Sequence, residues 1–157
     1  MMLTITSTSF AQLNVVSKGT APLCKDDWCT LKYENGNYVI TSVDKIQRTS
    51  KIIEFHIGDN VGAAKSTIND LIAWMSAAKP KTSISFVDSV SNETLTLYCY
   101  KKKLYMLTNG SAEYAEETYT INSLAMMVGT PTHQTQSDAP IIGYLNIKFL
   151  EKALTVL

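Results

Sequence analysis

Hydrophobic and polar residues alternate through residues 31–40 on both sides of an Asn-Gly dipeptide. Asparagine and glycine readily take the positive φ angles of a type I′ turn. A two-residue turn at this point pairs Tyr33 with Tyr38 and Leu31 with Ile40, and it places the four side chains on one face. The pattern therefore predicts a β-hairpin that buries this face.

The same alternation returns at residues 51–57, where Ile53, Phe55 and Ile57 lie on one face and His56 lies on the other. Such a period of two is typical of a strand with one buried side. We predict that this strand extends the hairpin into a meander. The opposite face, which carries His56, is expected to be half-exposed to solvent.

A period of three to four residues begins after Gly58-Asp59-Asn60, a segment whose polar side chains suit a helix N-cap. Pro80 prevents any long continuation. The sequence predicts one long helix over about residues 61–78. Its apolar stripe is expected to pack on the sheet. The stripe consists of Val61, Ala64, Ile68, Leu71, Ile72 and Met75.

Three further strands are predicted at residues 83–87, 94–100 and 104–108. The last two flank Lys101-Lys102-Lys103, which has the character of a solvated hairpin turn rather than of a binding patch. Their order along the chain favours antiparallel pairing. These segments raise the predicted total to about six to seven strands.

A second helical face follows, with Thr120 as its expected cap and Gly129 and Pro131 as its stop. Residues 130–143 are polar and contain proline, which predicts a long loop. A strand at 145–149 and a short closing helix are expected to end the chain. The apolar residues of the second helix, predicted to face the core, are Ile121, Leu124, Ala125 and Val128.

These elements predict an α+β fold: a mainly antiparallel sheet of about six to seven strands carries the long helix and one or two short helices on one face. The 157-residue chain is 45% hydrophobic and 18% charged, which is ordinary for a globular protein. No repeat or linker divides it. We therefore expect a single domain over residues 12–157.

The balance of charge bears on partners, because the fourteen Lys and Arg residues equal the fourteen Asp and Glu residues. A chain without net charge has no overall field that attracts phosphate polymers. Nucleic acid is therefore not expected as a partner. No apolar stretch is long enough for a spanning helix, so no membrane span is expected either.

Residues 1–11 are small or apolar and uncharged, and Ser9-Phe10-Ala11 fits the small-x-small rule for signal-peptide cleavage. This predicts export to a periplasmic or extracellular location, with a mature chain that begins near Gln12. The alternative is an N-terminal arm that stays attached, since Leu3 and Ile5 alternate with threonines in strand fashion.

Cysteine usage agrees with export if Cys24 and Cys29 form a disulfide across their short loop. Cys99 shares a predicted strand face with Leu95 and Leu97, so we expect it to be a buried and unreactive thiol. Four ligands at the spacing of a zinc site are not available. We accordingly expect no metal site and no cofactor.

Candidate site residues are few, because no motif for catalysis or phosphate binding is present. Tyrosines on neighbouring strands would offer rigid apolar area with a polar tip if they face solvent, and cross-strand packing is the alternative. The polar loop supplies a histidine and two glutamines as further binding candidates. The candidates are Tyr98, Tyr100, Tyr105, His133, Gln134 and Gln136.

Three functions are compatible with this sequence. The first is a non-enzymatic, exported interaction protein that binds another macromolecule, or itself, through a sheet face or the 130–143 loop. The second is a structural subunit of a larger assembly, such as a virion component, whose N-terminal arm adds a strand to a neighbour. The third is a small hydrolase that uses His133.

Overall fold

A computed structural model describes residues 21–127 and 138–157. These residues form two four-stranded antiparallel sheets and three helices, which confirms the α+β class and the antiparallel pairing. The first sheet has the order β1 (Cys24–Lys25), β2 (Cys29–Glu34), β3 (Asn37–Val43) and β4 (Ile52–Gly58). The second has the order β5 (Thr82–Val87), β6 (Thr94–Lys101), β7 (Leu104–Thr108) and β8 (Ile142–Leu145). The helices are α1 (Val61–Ala77), α2 (Ala112–Met127) and α3 (Ile147–Val156).

The first hairpin forms in the predicted register. Asn35 and Gly36 have φ angles of 51° and 80°. Leu31 pairs with Ile40 and both are fully buried, and Tyr33 pairs with Tyr38. Tyr33 is 38% exposed, so the predicted buried face reaches the core only at its leucine and isoleucine end.

Helix α1 begins and packs as its sequence predicts. The side chain of Asn60 accepts a hydrogen bond of 2.9 Å from the N–H of Ala63, which satisfies one of the free donors of the first turn. The helix ends at Ala77, one residue before the predicted end. The buried side consists of Ala64, Ile68, Leu71 and Met75.

One main core joins the two sheets with α1 and α3. The inward face of the first sheet contributes Leu31 and Phe55, and one face of the second sheet contributes Leu97 and Cys99. The other face of the second sheet carries α2 over a smaller cluster that includes Met106. Helices therefore cover both faces of the second sheet, and the prediction of helices on one face of a single sheet is wrong.

The sheets approach most closely where β8 passes β3. The hydroxyl of Ser42 donates to the carbonyl of Tyr144 at 2.7 Å, and the thiol of Cys29 lies 3.1 Å from the same oxygen. A Cβ atom at position 143 would stand only 2.7 Å from the Cβ of Ser42, so Gly143 permits this approach.

The end of the chain departs from its prediction. Strand β8 ends at Leu145, and residue 147 already lies in helix α3. Asn146 separates the two elements because its side chain accepts a 2.7 Å bond from the N–H of Phe149 and caps the helix. Residues 1–11 and most of the predicted 130–143 loop lie outside the described residues, so the signal segment stays a prediction.

Candidate functional site: the exposed face of helix α2

Helix α2 begins nine residues earlier than its sequence pattern indicates. Ser111 is the N-cap: its hydroxyl accepts a 3.1 Å bond from the N–H of Tyr114. Thr120, the predicted cap, lies within the helix, where its hydroxyl donates to the carbonyl of Glu116 at 2.8 Å. The acidic segment that was expected to precede the helix therefore forms its first two turns.

A polar and aromatic cluster holds the first half of α2 on the second sheet. The hydroxyl of Tyr98 donates to one carboxylate oxygen of Glu116, and the ammonium of Lys81 lies 2.6 Å from the other. The same ammonium stands 3.9 Å from the ring centroid of Tyr100, whose ring is 4.9 Å from that of Tyr119. These contacts fix the rotation of the helix about its axis.

The ionisation of this cluster follows from its hydrogen bonds. The bonds from Lys81 and Tyr98 stabilise the carboxylate of Glu116 and hold its pKa below the usual value. Burial and the bond to Glu116 raise the pKa of Tyr98 well above that of a free tyrosine. Glu116 is therefore an anion and Tyr98 a neutral donor at neutral pH.

A second anchor ties α2 to the loop between β3 and β4. The hydroxyl of Tyr114 donates to Gln47 at 2.7 Å, and the amide of Gln47 donates to Asp44 at 2.6 Å. One turn beyond the middle of the helix, the amide of Asn122 donates to the carbonyl of Ile46 at 2.9 Å. Asp44, Gln47 and Asn122 are buried and Tyr114 is partly buried, so these bonds replace ones that water would otherwise supply.

The opposite side of α2 exposes the apolar stripe that was predicted to face the core. Ile121 is 48% exposed, Leu124 56% and Met127 82%. The prediction was wrong for Ile121 and Leu124 because the tyrosine and Gln47 anchors bury Ala115 and Asn122 instead. Val128 lies outside the described residues.

Acidic side chains continue the exposed stripe toward the start of the helix. Glu113 and Glu117 precede Ile121 at four-residue intervals, and α2 contains no Lys or Arg. Within residues 21–127 and 138–157, neither Glu113 nor Glu117 forms an ion pair. This stripe of Glu113, Glu117, Ile121, Leu124 and Met127 is called the α2 face below. The four-residue spacing of Glu113, Glu117 and Ile121 was visible in the sequence and indicates that the helix begins before Thr120.

The structure does not bring the predicted binding tyrosines to one surface. Tyr98 is 3% exposed and faces α2, whereas Tyr105 is 6% exposed and lies in the main core, where its hydroxyl donates to the carbonyl of Met75. Neither is available to a partner, so the prediction of an exposed tyrosine surface fails for both. Tyr100 is half-buried against Tyr119. The other candidates, His133, Gln134 and Gln136, lie outside the described residues.

The cysteines are buried free thiols. Burial and the nearby Asp26 raise the pKa of Cys29 to about 12, and burial raises that of Cys99, as expected for an unreactive thiol. Cys24 pairs with Leu31 across β1 and β2, which makes Cys29 its diagonal neighbour rather than its direct partner. The predicted disulfide between Cys24 and Cys29 is therefore not formed in this structure.

Comparisons with protein-family models, curated proteins and solved structures found no match to this chain. Among the described residues, no helix has both the length and the apolar character needed to cross a membrane. Neither result names a partner. The α2 face is therefore the feature of the described residues that bears on function.

Proposed function

We propose that this protein is a non-enzymatic binding protein that holds another protein on the α2 face. One observation carries the proposal: the apolar stripe of α2 is exposed although the helix is firmly anchored on its other side. Contiguous exposed apolar side chains on a rigid element are typical of protein interaction sites. The anchors preorganise the surface, which lowers the entropy cost of binding.

The pattern of the α2 face selects the chemistry of the partner. Glu113 and Glu117 occupy one end of the stripe and Ile121, Leu124 and Met127 occupy the other. An amphipathic helix with apolar residues along one side and Lys or Arg residues at one end is complementary to both parts. Nucleic acid fits poorly, because its phosphates would meet the carboxylates of Glu113 and Glu117, neither of which is neutralised by an ion pair among the described residues.

The test is binding of a fluorescently labelled model peptide, an amphipathic helix of leucine and alanine with three lysines at one end. A matched peptide carries glutamates in place of the lysines. We expect the wild-type protein to bind the lysine peptide at least about tenfold more tightly than the glutamate peptide. The double variant Glu113→Lys, Glu117→Lys should reverse this preference.

Apolar contacts are tested separately. Leu124→Ser should weaken binding of the lysine peptide by about tenfold, whereas Lys65→Ser on the exposed side of α1 should leave binding unchanged. Equal binding of both peptides by the wild type, or wild-type affinity in a folded Leu124→Ser protein, would contradict the proposal. A stable dimer that Leu124→Ser dissociates would instead assign the face to a second copy of this chain.

A further inference from the structure

Along strand β4, at an edge of the first sheet, the direction of each backbone N–H and C=O group can be determined. Strand β4 is one of the two edge strands of this sheet, and the N–H of His56 points away from β3 to donate to Asp88 at 2.7 Å. Outward and inward backbone groups alternate along a strand. The N–H and C=O groups of Ile52 and Glu54 therefore point outward as well.

These outward groups face a slot of about 150 Å³. One side of the slot is β4 from Ile52 to His56, and the other is formed by Ser91, Glu93, Asn109 and Ile141 at one end of the second sheet. Asn109 donates to Glu93 at 2.8 Å and accepts from the N–H of Ile141 at 2.7 Å. These hydrogen bonds hold Asn109, Glu93 and Ile141 in place, so this wall of the slot is fixed.

Asp88 and His56 close one end of the slot. The carboxylate of Asp88 is fully buried and accepts bonds from the N–H groups of His56, Val90 and Ser91. It also lies 3.0 Å from Nδ1 of His56. Because a carboxylate only accepts hydrogen bonds, the ring N–H at Nδ1 of His56 is the donor in this contact.

The charge of the slot is one-sided. Among the described residues, Glu54 and Glu93 line it and no Lys or Arg does, although the ammonium of Lys32 lies 3.3 Å from the carboxylate of Glu54. A cationic group that enters the slot meets the two carboxylates. An anionic group has no cation to meet within the lining.

We propose that this slot takes a short extended segment of another protein, which pairs with Ile52 and Glu54 as an added strand and places a Lys or Arg side chain beside Glu54 and Glu93. Strand addition uses backbone groups that the edge already presents. Asp88 occupies the N–H of His56, so the pairing ends there and the recognised segment is short. The site is separate from the α2 face.

The probe is a labelled seven-residue peptide of alternating threonine and valine with lysine at its centre, and its control has norleucine at the centre. Glu54→Pro removes one outward N–H without breaking a bond to β3, because proline is tolerated where the N–H of an edge strand faces solvent. We expect it to weaken binding of the lysine peptide about tenfold. Glu54→Gln keeps the N–H and should weaken binding less, by about threefold.

Hydrogen exchange gives a readout that does not depend on affinity. In the free protein the amides of Ile52 and Glu54 should exchange quickly and that of Phe55 slowly, and the lysine peptide should slow the first two. Leu124→Ser, which alters the α2 face, should leave this binding unchanged. Wild-type affinity in a folded Glu54→Pro protein, or equal affinity for the lysine and norleucine peptides, would overturn the proposal.

Discussion

Helices α1 and α2 have nearly equal lengths of 17 and 16 residues, and each directly follows a strand. Helix α1 buries its apolar stripe, with Ile68 and Met75 fully enclosed. Helix α2 buries Ala115 and Asn122 and exposes Ile121, Leu124 and Met127. The comparison shows that a helix anchored by hydrogen bonds and aromatic rings does not need its own apolar stripe for attachment, which leaves that stripe available to a partner.

The largest expected difference between the helices is the cost of removing an apolar side chain. Ile68→Ala should lower the free energy of unfolding by ~2–5 kcal/mol, because it opens a cavity in the main core. Leu124→Ala on the α2 face should change it by less than ~0.5 kcal/mol. Urea denaturation followed by circular dichroism measures both. Similar losses for the two variants would mean that the α2 face is part of the core.

The buried anchor of α2 is expected to have an intermediate effect. Gln47→Ala removes the acceptor of Tyr114 and a donor to Asp44, and should destabilise the protein by ~1–3 kcal/mol. Amide exchange should accelerate more in α2 than in α1. Asn69→Ala, on the exposed side of α1, is the matched amide control and should have little effect on either helix. Equal acceleration in both helices would argue against Gln47 as a specific anchor of α2.

Removing either of two tyrosine hydroxyls should lower the free energy of unfolding by about 1 kcal/mol and affect a different helix in each case. Tyr98→Phe removes a donor to Glu116 in α2, and Tyr105→Phe removes a donor to the last turn of α1 at Met75. Each variant should speed amide exchange mainly in the helix that its hydroxyl contacts. If both changed the same helix, the assignment of the two tyrosines to opposite faces of the sheet would be wrong.

The smallest expected effect is a pH dependence of the α2 anchor. The bonds from Lys81 and Tyr98 depress the pKa of Glu116 in the folded state. Its stabilising contribution is therefore present above the ordinary value of 4.5 and is lost as the pH falls through the lower folded pKa. The stability difference between wild type and Glu116→Gln should shrink over this acidic range in denaturation curves. A difference that grows on acidification would contradict a depressed pKa.

Much of the local structure follows from short-range chemistry. The Asn35-Gly36 turn, the Asn60 cap and the alternation around Phe55 each depend on a few neighbouring residues, and each was predicted correctly. The cap of α2 was missed because Ser111 precedes acidic residues rather than an apolar run. The end of β8 was missed because Leu145, Asn146 and Ile147 alternate between apolar and polar as in a strand. In the structure Asn146 instead caps the helix that begins at Ile147.

The candidate sites depend on residues far apart in the chain. Lys81, Tyr98 and Glu116 meet only when α2 lies on the second sheet, and His56 meets Asp88 only when the edge of the first sheet reaches the loop after β5. No local pattern distinguishes these residues from solvated polar groups. Sequence reasoning therefore placed the tyrosines on a binding surface, whereas Tyr98 and Tyr100 lie beneath α2 and Tyr105 lies in the main core.

The sequence by itself determined the class of the fold, the antiparallel pairing, the position of α1 and the existence of an apolar stripe on α2, because turn chemistry, capping and periodicity act over a few residues. Only the tertiary structure decided which side of α2 is covered, how the strands divide into two sheets and which backbone groups of β4 remain free. Periodicity shows that a helix has two different sides. Which side is buried depends on long-range contacts that compete for the same sheet, and here the bonds to Glu116 and Gln47 decide it.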